Sequence, residues 1–302
     1  MEQKLMEKIQ MVVTKGSVKA DEPMKMHTTF RVGGPADCFV VPASVDEIRQ
    51  VVAICKEDAV PYYIVGNGSN LLVSDKGFRG VIIQIYREMS EITVKENLIE
   101  AQAGASLHAI AVKALEASLT GFEFAAGIPG TLGGACVMNA GAYGGEMKDV
   151  LVDVTVLTRE GDVLVLPVEE LELSYRHSII PENDYIVLAA RLRLEAGDPE
   201  AIKARMDELK VQRVTKQPLE YPSAGSTFKR PSGYFAGKLI QDAGLKGFAV
   251  GGAMVSEKHS GFVINYNNAT EADITELMKE VADKVEAMFG VRLEAEVKRI
   301  GE

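Results

Sequence analysis

Gly127-Ile128-Pro129-Gly130-Thr131-Leu132-Gly133-Gly134, continuing through Asn139-Ala140-Gly141-Ala142-Tyr143-Gly144-Gly145, is the stretch on which the reading of this chain turns. Glycine at such density costs conformational entropy on folding, so an ordinary surface turn explains it poorly. Two readings account for it. Backbone without side chains can lie close to a flat or polyanionic ligand, or it can let helices and strands pack tightly. Upstream, Gly66-Asn67-Gly68-Ser69-Asn70 poses a similar choice. Successive N–H groups freed by glycine form an anion-binding nest, and Ser and Asn side chains add donors. The Asn-Gly pair equally suits a type I′ hairpin turn. A dinucleotide fingerprint is excluded, because Leu71 stands at its third glycine and a strand follows. No Gly-Lys-Ser or Gly-Lys-Thr occurs, which excludes a Walker loop.

Outward from these loops the pattern alternates between short strands and amphipathic helices. Ser44-Val45-Asp46-Glu47 reads as a capping box opening a helix with Val45, Ile48, Val51, Val52 and Cys55 on one face. Strands are expected at Tyr62–Val65, Leu71–Val73, 81–83, 92–94 and Leu98–Gln102. Ser106 caps a further helix that turns Leu107, Ile110, Ala111, Ala114 and Leu115 inward. Strands resume at 152–158, 163–166 and 186–194. Asp198 and Pro199 then open a helix as N-cap and first residue, marking a boundary. Helices at 234–243 and 270–289 follow. The second carries Ile274, Leu277, Met278, Val281, Val285 and Met288 on one stripe and stops at Gly290. Residues 291–300 alternate as a closing strand. The expected class is α+β, divided at 1–86, 87–196 and 197–302.

The 302 residues are 47 % hydrophobic and 25 % charged, an ordinary globular balance. Cys38, Cys55 and Cys136 are odd in number and form no CxxC pair, which fits a reducing cytoplasm rather than a disulfide framework or zinc site. The start, Met1 to Gly16, lacks the apolar core of a signal peptide, and no apolar run is long enough to span a bilayer. A cytoplasmic protein with no membrane partner is expected. The net charge of −10 argues against a nucleic-acid binder. His27, His108, His177 and His259 never fall at metal-ligand spacing, so no metal is expected.

Several polar residues could do chemistry, and each has a plainer reading. Arg176, in Tyr175-Arg176-His177-Ser178, could grip a carboxylate with two prongs, or be a solvated surface charge. Ser226 lies in a glycine-flanked loop without the GxSxG frame of a hydrolase nucleophile, and a turn serine would look the same. Glu296 alternates with Arg292, Glu294 and Lys298 on the polar face of the closing strand, as an exposed edge carboxylate would. Lys216 and His259 stand out no further.

Taken in order, however, the motifs form a set. His27-Thr28-Thr29-Phe30-Arg31-Val32-Gly33-Gly34-Pro35-Ala36, the 66–72 loop, the 127–134 and 139–144 loops, Ser174 to Ser178, Ser223 to Pro231, Gly261 to Asn265 and Glu296 to Gly301 resemble the motifs of UDP-N-acetylenolpyruvoylglucosamine reductases, in that family's order and over nearly the whole chain. The resemblance implies a two-subdomain FAD-binding fold of the vanillyl-alcohol-oxidase type, plus a smaller C-terminal α+β substrate domain. It implies noncovalent FAD held by Gly66, Asn67, Gly68, Ser69, Asn70 and Leu71, by Gly127, Ile128, Pro129, Gly130, Thr131, Gly133 and Gly134, and by Asn139, Gly141 and Ala142. It implies NADPH as co-substrate and a UDP-sugar enolpyruvyl ether as substrate in peptidoglycan precursor synthesis. Arg176 and Glu296 match the pair that stabilises an enolate-like state, and Ser226 matches the proton donor. Tyr175, Lys216, Arg230 and His259 match substrate-contacting positions, although some members place Asn at the Arg230 position and Gln at that of His259. The direct run from Leu194 into the Asp198 helix matches the short form, which lacks an inserted tyrosine loop. Another FAD oxidoreductase of this fold, or a binding protein without turnover, fits less well. Ser223 to Pro231 and the closing motif are not flavin-binding elements, and a mere binder would not need Arg176, Ser226 and Glu296 together.

Overall fold

The computed structural model describes residues 3–302, so the first two residues of the expected 1–86 segment lie outside the described ones. The chain divides into two compact units, and neither is contiguous. Among the described residues, one comprises those up to 19 with 39–67 and 81–213; the other comprises 20–38, 68–80 and 214–302. This differs from the contiguous segments expected from sequence. The reason lies in long-range pairing: Leu71–Val73 runs parallel to the last strand, Lys298–Ile300, with Leu72 opposite Arg299.

In the first unit the strand Tyr62–Val65 pairs in parallel with Phe78–Gln84, Tyr62 opposite Val81 and Val65 opposite Gln84. The helix Val45–Glu57 precedes it, with Ile48, Val51, Val52 and Cys55 buried. Its N-terminus corrects one expectation. Ser44 accepts from the Glu47 N–H as a cap should, but the Glu47 carboxylate does not return the bond. It accepts instead from the backbone of Thr14 and Lys15 through Oε1, at 3.0 and 2.7 Å, and from Ala43 through Oε2, at 2.8 Å. Burial pushes the Glu47 carboxyl up, and the backbone donors around it more than reverse this, holding it below the ordinary value.

The same unit holds a five-stranded antiparallel sheet in the order Val163–Pro167, Leu151–Leu157, Ile186–Arg193, Leu98–Gln102, Ile92–Lys95. Leu107–Glu116 and Leu132–Val137 pack on it as helices. Ser106 caps the first of these as expected, accepting from the Ala109 N–H. The short strand Glu195–Ala196 pairs with Leu119–Thr120 before the helix Pro199–Lys216 begins, and Asp198 Oδ1 accepts from the Glu200 N–H.

In the second unit a three-stranded antiparallel sheet, Ala249–Val250, Ala253–Val255 and Val263–Asn265, is covered by the helix Glu271–Phe289. Thr270 and Asp273 form a reciprocal capping box at its start, and Gly290 ends it in the left-handed conformation. Ile274, Leu277, Val281 and Val285 are wholly buried, each contributing roughly 1.5–3 kcal/mol of burial free energy. Met288 is a correction: it is 59 % exposed, because the buried stripe ends at Val285, one turn before the cap. Asp75 supplies a second cap, accepting from the N–H groups of Glu271 and Ala272. The expected helix at 234–243 begins later, at Ala236, because Pro231–Tyr234 forms a turn with Gly233 at φ +76°.

The closing strand is also shorter than its alternation suggests. Only Lys298–Ile300 pairs as a strand. Residues 294–296 pair elsewhere, with Ala295 bridging Phe228. The alternating sequence divides between two partners, so no single ladder runs its length.

Candidate active site

Gly66 and Asn67 meet the second glycine loop within the first unit. Asn67 Nδ2 donates to the Pro129 carbonyl at 2.8 Å, and a Cβ on Gly66 would collide with Thr131 Oγ1. Thr131 caps the helix Leu132–Val137, accepting from the Gly134 N–H. Backbone bonds fix the loop from behind: Leu132 N–H donates to Ala105, Gly133 N–H to Ala103, and Leu107 N–H to Gly130. The 66–70 loop is not a hairpin turn. Its flanking strands pair with Phe78–Gln84 and Lys298–Ile300, not with each other.

The glycines divide between the two readings open from sequence. A Cβ on Gly133 would lie 3.0 Å from Ala103 Cβ, a tight contact, and one on Gly127 would lie 2.7 Å from Arg213 Nε, which would have to move. Gly145 lies against the Phe124 ring. Gly141–Ala142 and Gly145–Glu146 form a hairpin whose two turn residues, Tyr143 and Gly144, both have positive φ, as a type I′ turn requires. At these positions close contacts or the turn within the protein favour glycine. Gly134 is different: it is exposed, and its added Cβ would meet only Thr131 Oγ1, at 3.6 Å. Among the described residues, the N–H groups of Asn67, Gly68, Ser69 and Asn70 donate to no protein acceptor. A set of successive donors beside glycine suits the charge of a pyrophosphate, so the residues present fit FAD.

Arg176 also lies in the first unit. Ser174 and His177 exchange backbone hydrogen bonds at 3.3 and 3.2 Å, leaving Tyr175 and Arg176 as a tight two-residue turn with Arg176 at φ +56°. The Arg176 guanidinium lies over the Tyr175 ring, 5.3 Å from its centroid. Asn139 is nearly fully buried. Its Nδ2 donates to Glu146 Oε2 and to the Ser174 carbonyl, and its Oδ1 accepts from the Lys148 N–H.

Ser226 and Glu296 lie in the second unit, and the structure brings their segments side by side. Thr227 N–H donates to Gly261 O at 2.9 Å, while Thr227 O accepts from the Glu296 N–H at 2.8 Å. Thr227 Oγ1 accepts from the Val263 N–H. Gly225, at φ +75°, turns the chain into this clamp and leaves Ser226 exposed. Glu296 is 9 % exposed, so the exposed edge carboxylate suggested by alternation is incorrect. Its backbone is held between Thr227 and the Asn70 side chain, which donates to the Glu296 carbonyl at 3.2 Å.

His259 Nδ1 accepts from the Gly261 N–H, and its ring meets Phe262 edge-on. Burial lowers its pKa, with Lys246 adding to the effect, so the neutral ring carries its proton on Nε2. Arg230 stacks on the exposed Phe235 ring at 3.8 Å, and its Nε donates to Tyr234 O. Lys216 is exposed at the end of its helix. Arg213 escaped the sequence reading: it lies against Gly127 and over the Tyr143 ring, and no local pattern distinguishes it from neighbouring helix charges. Burial pushes the Cys136 thiol up to about 12, which removes it as a nucleophile. Among the described residues no group of three His, Cys, Asp or Glu could hold a metal ion, and no helix is long and apolar enough to cross a membrane.

The FAD-binding-domain family matches residues 36–167, and the C-terminal domain of UDP-N-acetylenolpyruvoylglucosamine reductase matches residues 217–300. The UDP-N-acetylenolpyruvoylglucosamine reductase of Agathobacter rectalis is 58 % identical over 294 residues, covering 93 % of each chain. That of Caldanaerobacter subterraneus subsp. tengcongensis is 53 % identical over 99 % of this chain and 98 % of its own. The crystal structure of UDP-N-acetylenolpyruvylglucosamine reductase from Thermus caldophilus superposes with a TM-score of 0.80 at 36 % identity, over 95 % of this chain and 99 % of that one. The Physcomitrella patens BBE-like 1 protein shares the fold alone, with a TM-score of 0.50 at 15 % identity over 63 % of this chain and 44 % of its own. With the fold and these full-length likenesses together, the chain belongs to the UDP-N-acetylenolpyruvoylglucosamine reductase family of FAD-dependent oxidoreductases.

Proposed function

We propose that the chain catalyses NADPH-dependent reduction of UDP-N-acetylglucosamine enolpyruvate to UDP-N-acetylmuramate, in peptidoglycan precursor synthesis. The observation that carries this is identity above 50 % to UDP-N-acetylenolpyruvoylglucosamine reductases along nearly the full length of both chains. In this reading residues 1–86 and 87–196 serve the flavin and 197–302 the substrate.

Bound FAD supplies the hydride chemistry between NADPH and the methylene carbon of the enolpyruvyl group. The residues that would hold it are those of the loops at 66–71 and 127–134, with Gly141 and Ala142. Negative charge then develops on the substrate next to its carboxylate. Arg176 opposes that charge with a planar fork, and Glu296 hydrogen-bonds beside it, so both act more strongly in the transition state than in the ground state. Ser226 gives its proton to the substituted carbon, completing a lactyl ether. A serine hydroxyl is a weak acid, and a carbanionic carbon is basic enough to take its proton. The exposed, backbone-clamped position of Ser226 supports this role. Tyr175, Lys216, Arg230 and His259 bind the nucleotide sugar.

The test is spectroscopic. The purified protein should be yellow and release free FAD on denaturation, NADPH should bleach it, and the enolpyruvyl ether should restore the colour. A colourless protein that fails to bind added FAD overturns the reading. Bleaching without recovery on that substrate leaves a flavin oxidoreductase of another specificity.

A further inference from the structure

The family resemblance implies a flavin role for Asn139, but its side-chain amide is committed within the protein. A side-chain amide has two donor hydrogens and one acceptor oxygen. Both donors are used, on Glu146 Oε2 at 2.8 Å and Ser174 O at 3.1 Å, and the oxygen accepts from the Lys148 N–H at 2.9 Å. Asn139 is 1 % exposed and held at φ +42°, a conformation that asparagine tolerates better than most residues. Of its partners, the Ser174 carbonyl matters most for chemistry, because Ser174 opens the two-residue turn that carries Arg176. The other flank of that turn is tied to the same segment: Ser178 Oγ donates to Val137 O at 2.6 Å, two residues before Asn139. Arg176 therefore projects from a turn whose two ends are fastened to residues 137–139. Arg176 itself sits in left-handed backbone, at φ +56°.

We infer that Asn139 is a positioning residue that fixes the aim of Arg176, acting through Ser174 and not through contact with the flavin. This rests on the proposal that Arg176 acts on the substrate. A 1 Å misplacement of such a group costs roughly 10²-fold in rate. The plainer role, holding the 141–146 hairpin in shape, would loosen the flavin loop without acting through Arg176.

A double-mutant cycle separates these. Asn139→Gly keeps the left-handed backbone accessible and deletes the amide. Asn139→Gly, Arg176→Ala and the double variant are loaded with FAD. FAD affinity is measured by fluorescence, and flavin reduction by NADPH and reoxidation by the enolpyruvyl ether are followed separately. Asn139→Gly should slow reoxidation roughly 10–100-fold, well beyond any change in reduction. In the Arg176→Ala background the same substitution should add less than about twofold, because coupled residues are not additive. Additive losses overturn the inference, as does a loss confined to FAD affinity. If Arg176→Ala alone leaves reoxidation intact, the proposed role of Arg176 fails first, and that outcome is distinct. Should Asn139→Gly not fold, Asn139→Ser, whose shorter side chain cannot make the bond to Ser174 O, replaces it in the cycle, and additivity there overturns the inference equally.

Discussion

Arg176 and Ser226 are both presented next to left-handed backbone, yet they are held in place by different means. Ser226 follows Gly225 and is fixed by main-chain bonds: the next residue, Thr227, donates to Gly261 and accepts from Glu296. Arg176 occupies the left-handed position itself, in a turn whose flanks are tied down by the side chains of Asn139 and Ser178. Backbone pairing survives most substitutions, because every residue except proline supplies the same N–H and C=O groups. Side-chain ties do not. The serine should tolerate changes around it, and the arginine should not.

The largest expected effect is at the serine itself. Ser226→Ala should slow reoxidation by the enolpyruvyl ether about 10²–10⁴-fold while leaving reduction by NADPH far less affected, as stopped-flow absorbance would report. Equal slowing of both half-reactions would make Ser226 a structural residue and remove one side of the comparison.

Next come Arg176→Lys and Glu296→Gln. Residues that do not act on the substrate would leave turnover at saturating substrate within about fivefold of the parent. Groups that meet developing charge should lose at least about tenfold, and Lys should fail despite its charge because it lacks the planar fork. A mild Glu296→Gln effect would assign that residue hydrogen bonding, and a severe one would assign it acid chemistry.

Thr227→Val probes the comparison directly. Thr227 is wholly buried and its Oγ1 accepts from the Val263 N–H, so the variant should lose about 1–3 kcal/mol of stability in denaturant melts. Turnover per folded molecule should hold, because the main-chain clamp on Ser226 remains. A collapse in turnover would mean that the serine also depends on side chains.

Two glycines of the loops in the first unit sharpen the picture further. Gly66→Ala drives a methyl into Thr131 Oγ1 and should destabilise by about 1–3 kcal/mol. Gly134→Ala meets no close neighbour, so its stability should change by less than about 0.5 kcal/mol. If backbone approach to the flavin is its purpose, FAD affinity should fall, as fluorescence titration would detect. Unchanged affinity would return this glycine to packing.

The smallest effect is a pH slope. Burial lowers the His259 pKa below its ordinary 6.5, so the unfolded chain binds that proton more readily than the folded one. The stability tied to the neutral ring is then complete above about pH 6.5 and declines as pH falls below it. His259→Gln should flatten thermal melts between about pH 7 and 5. Because Gly261 bonds both His259 and Thr227, the slope also reports on the serine clamp.

Local rules carried the sequence reading a long way. Ser106 and Gly290 bound their helices where capping chemistry puts them, and the buried stripe on Glu271–Phe289 follows the helical period up to Val285. Motif order gave the family, because the shared motifs appear in the same order along the chain. What sequence could not give was partnership. An alternating strand does not say that residues 294–296 pair near Phe228 while 298–300 pair with Leu71–Val73, so Glu296 read as exposed. Glycine density does not separate Gly133, tight against Ala103, from the open Gly134. An asparagine in a loop does not reveal that its amide is spent on Glu146, Ser174 and Lys148. Caps and periodicity depend on neighbours within a few residues, which the sequence states outright. Burial, close approach and hydrogen-bond partners depend on segments up to more than two hundred residues away, as in the Asn70 to Glu296 bond, and only the fold brings those together.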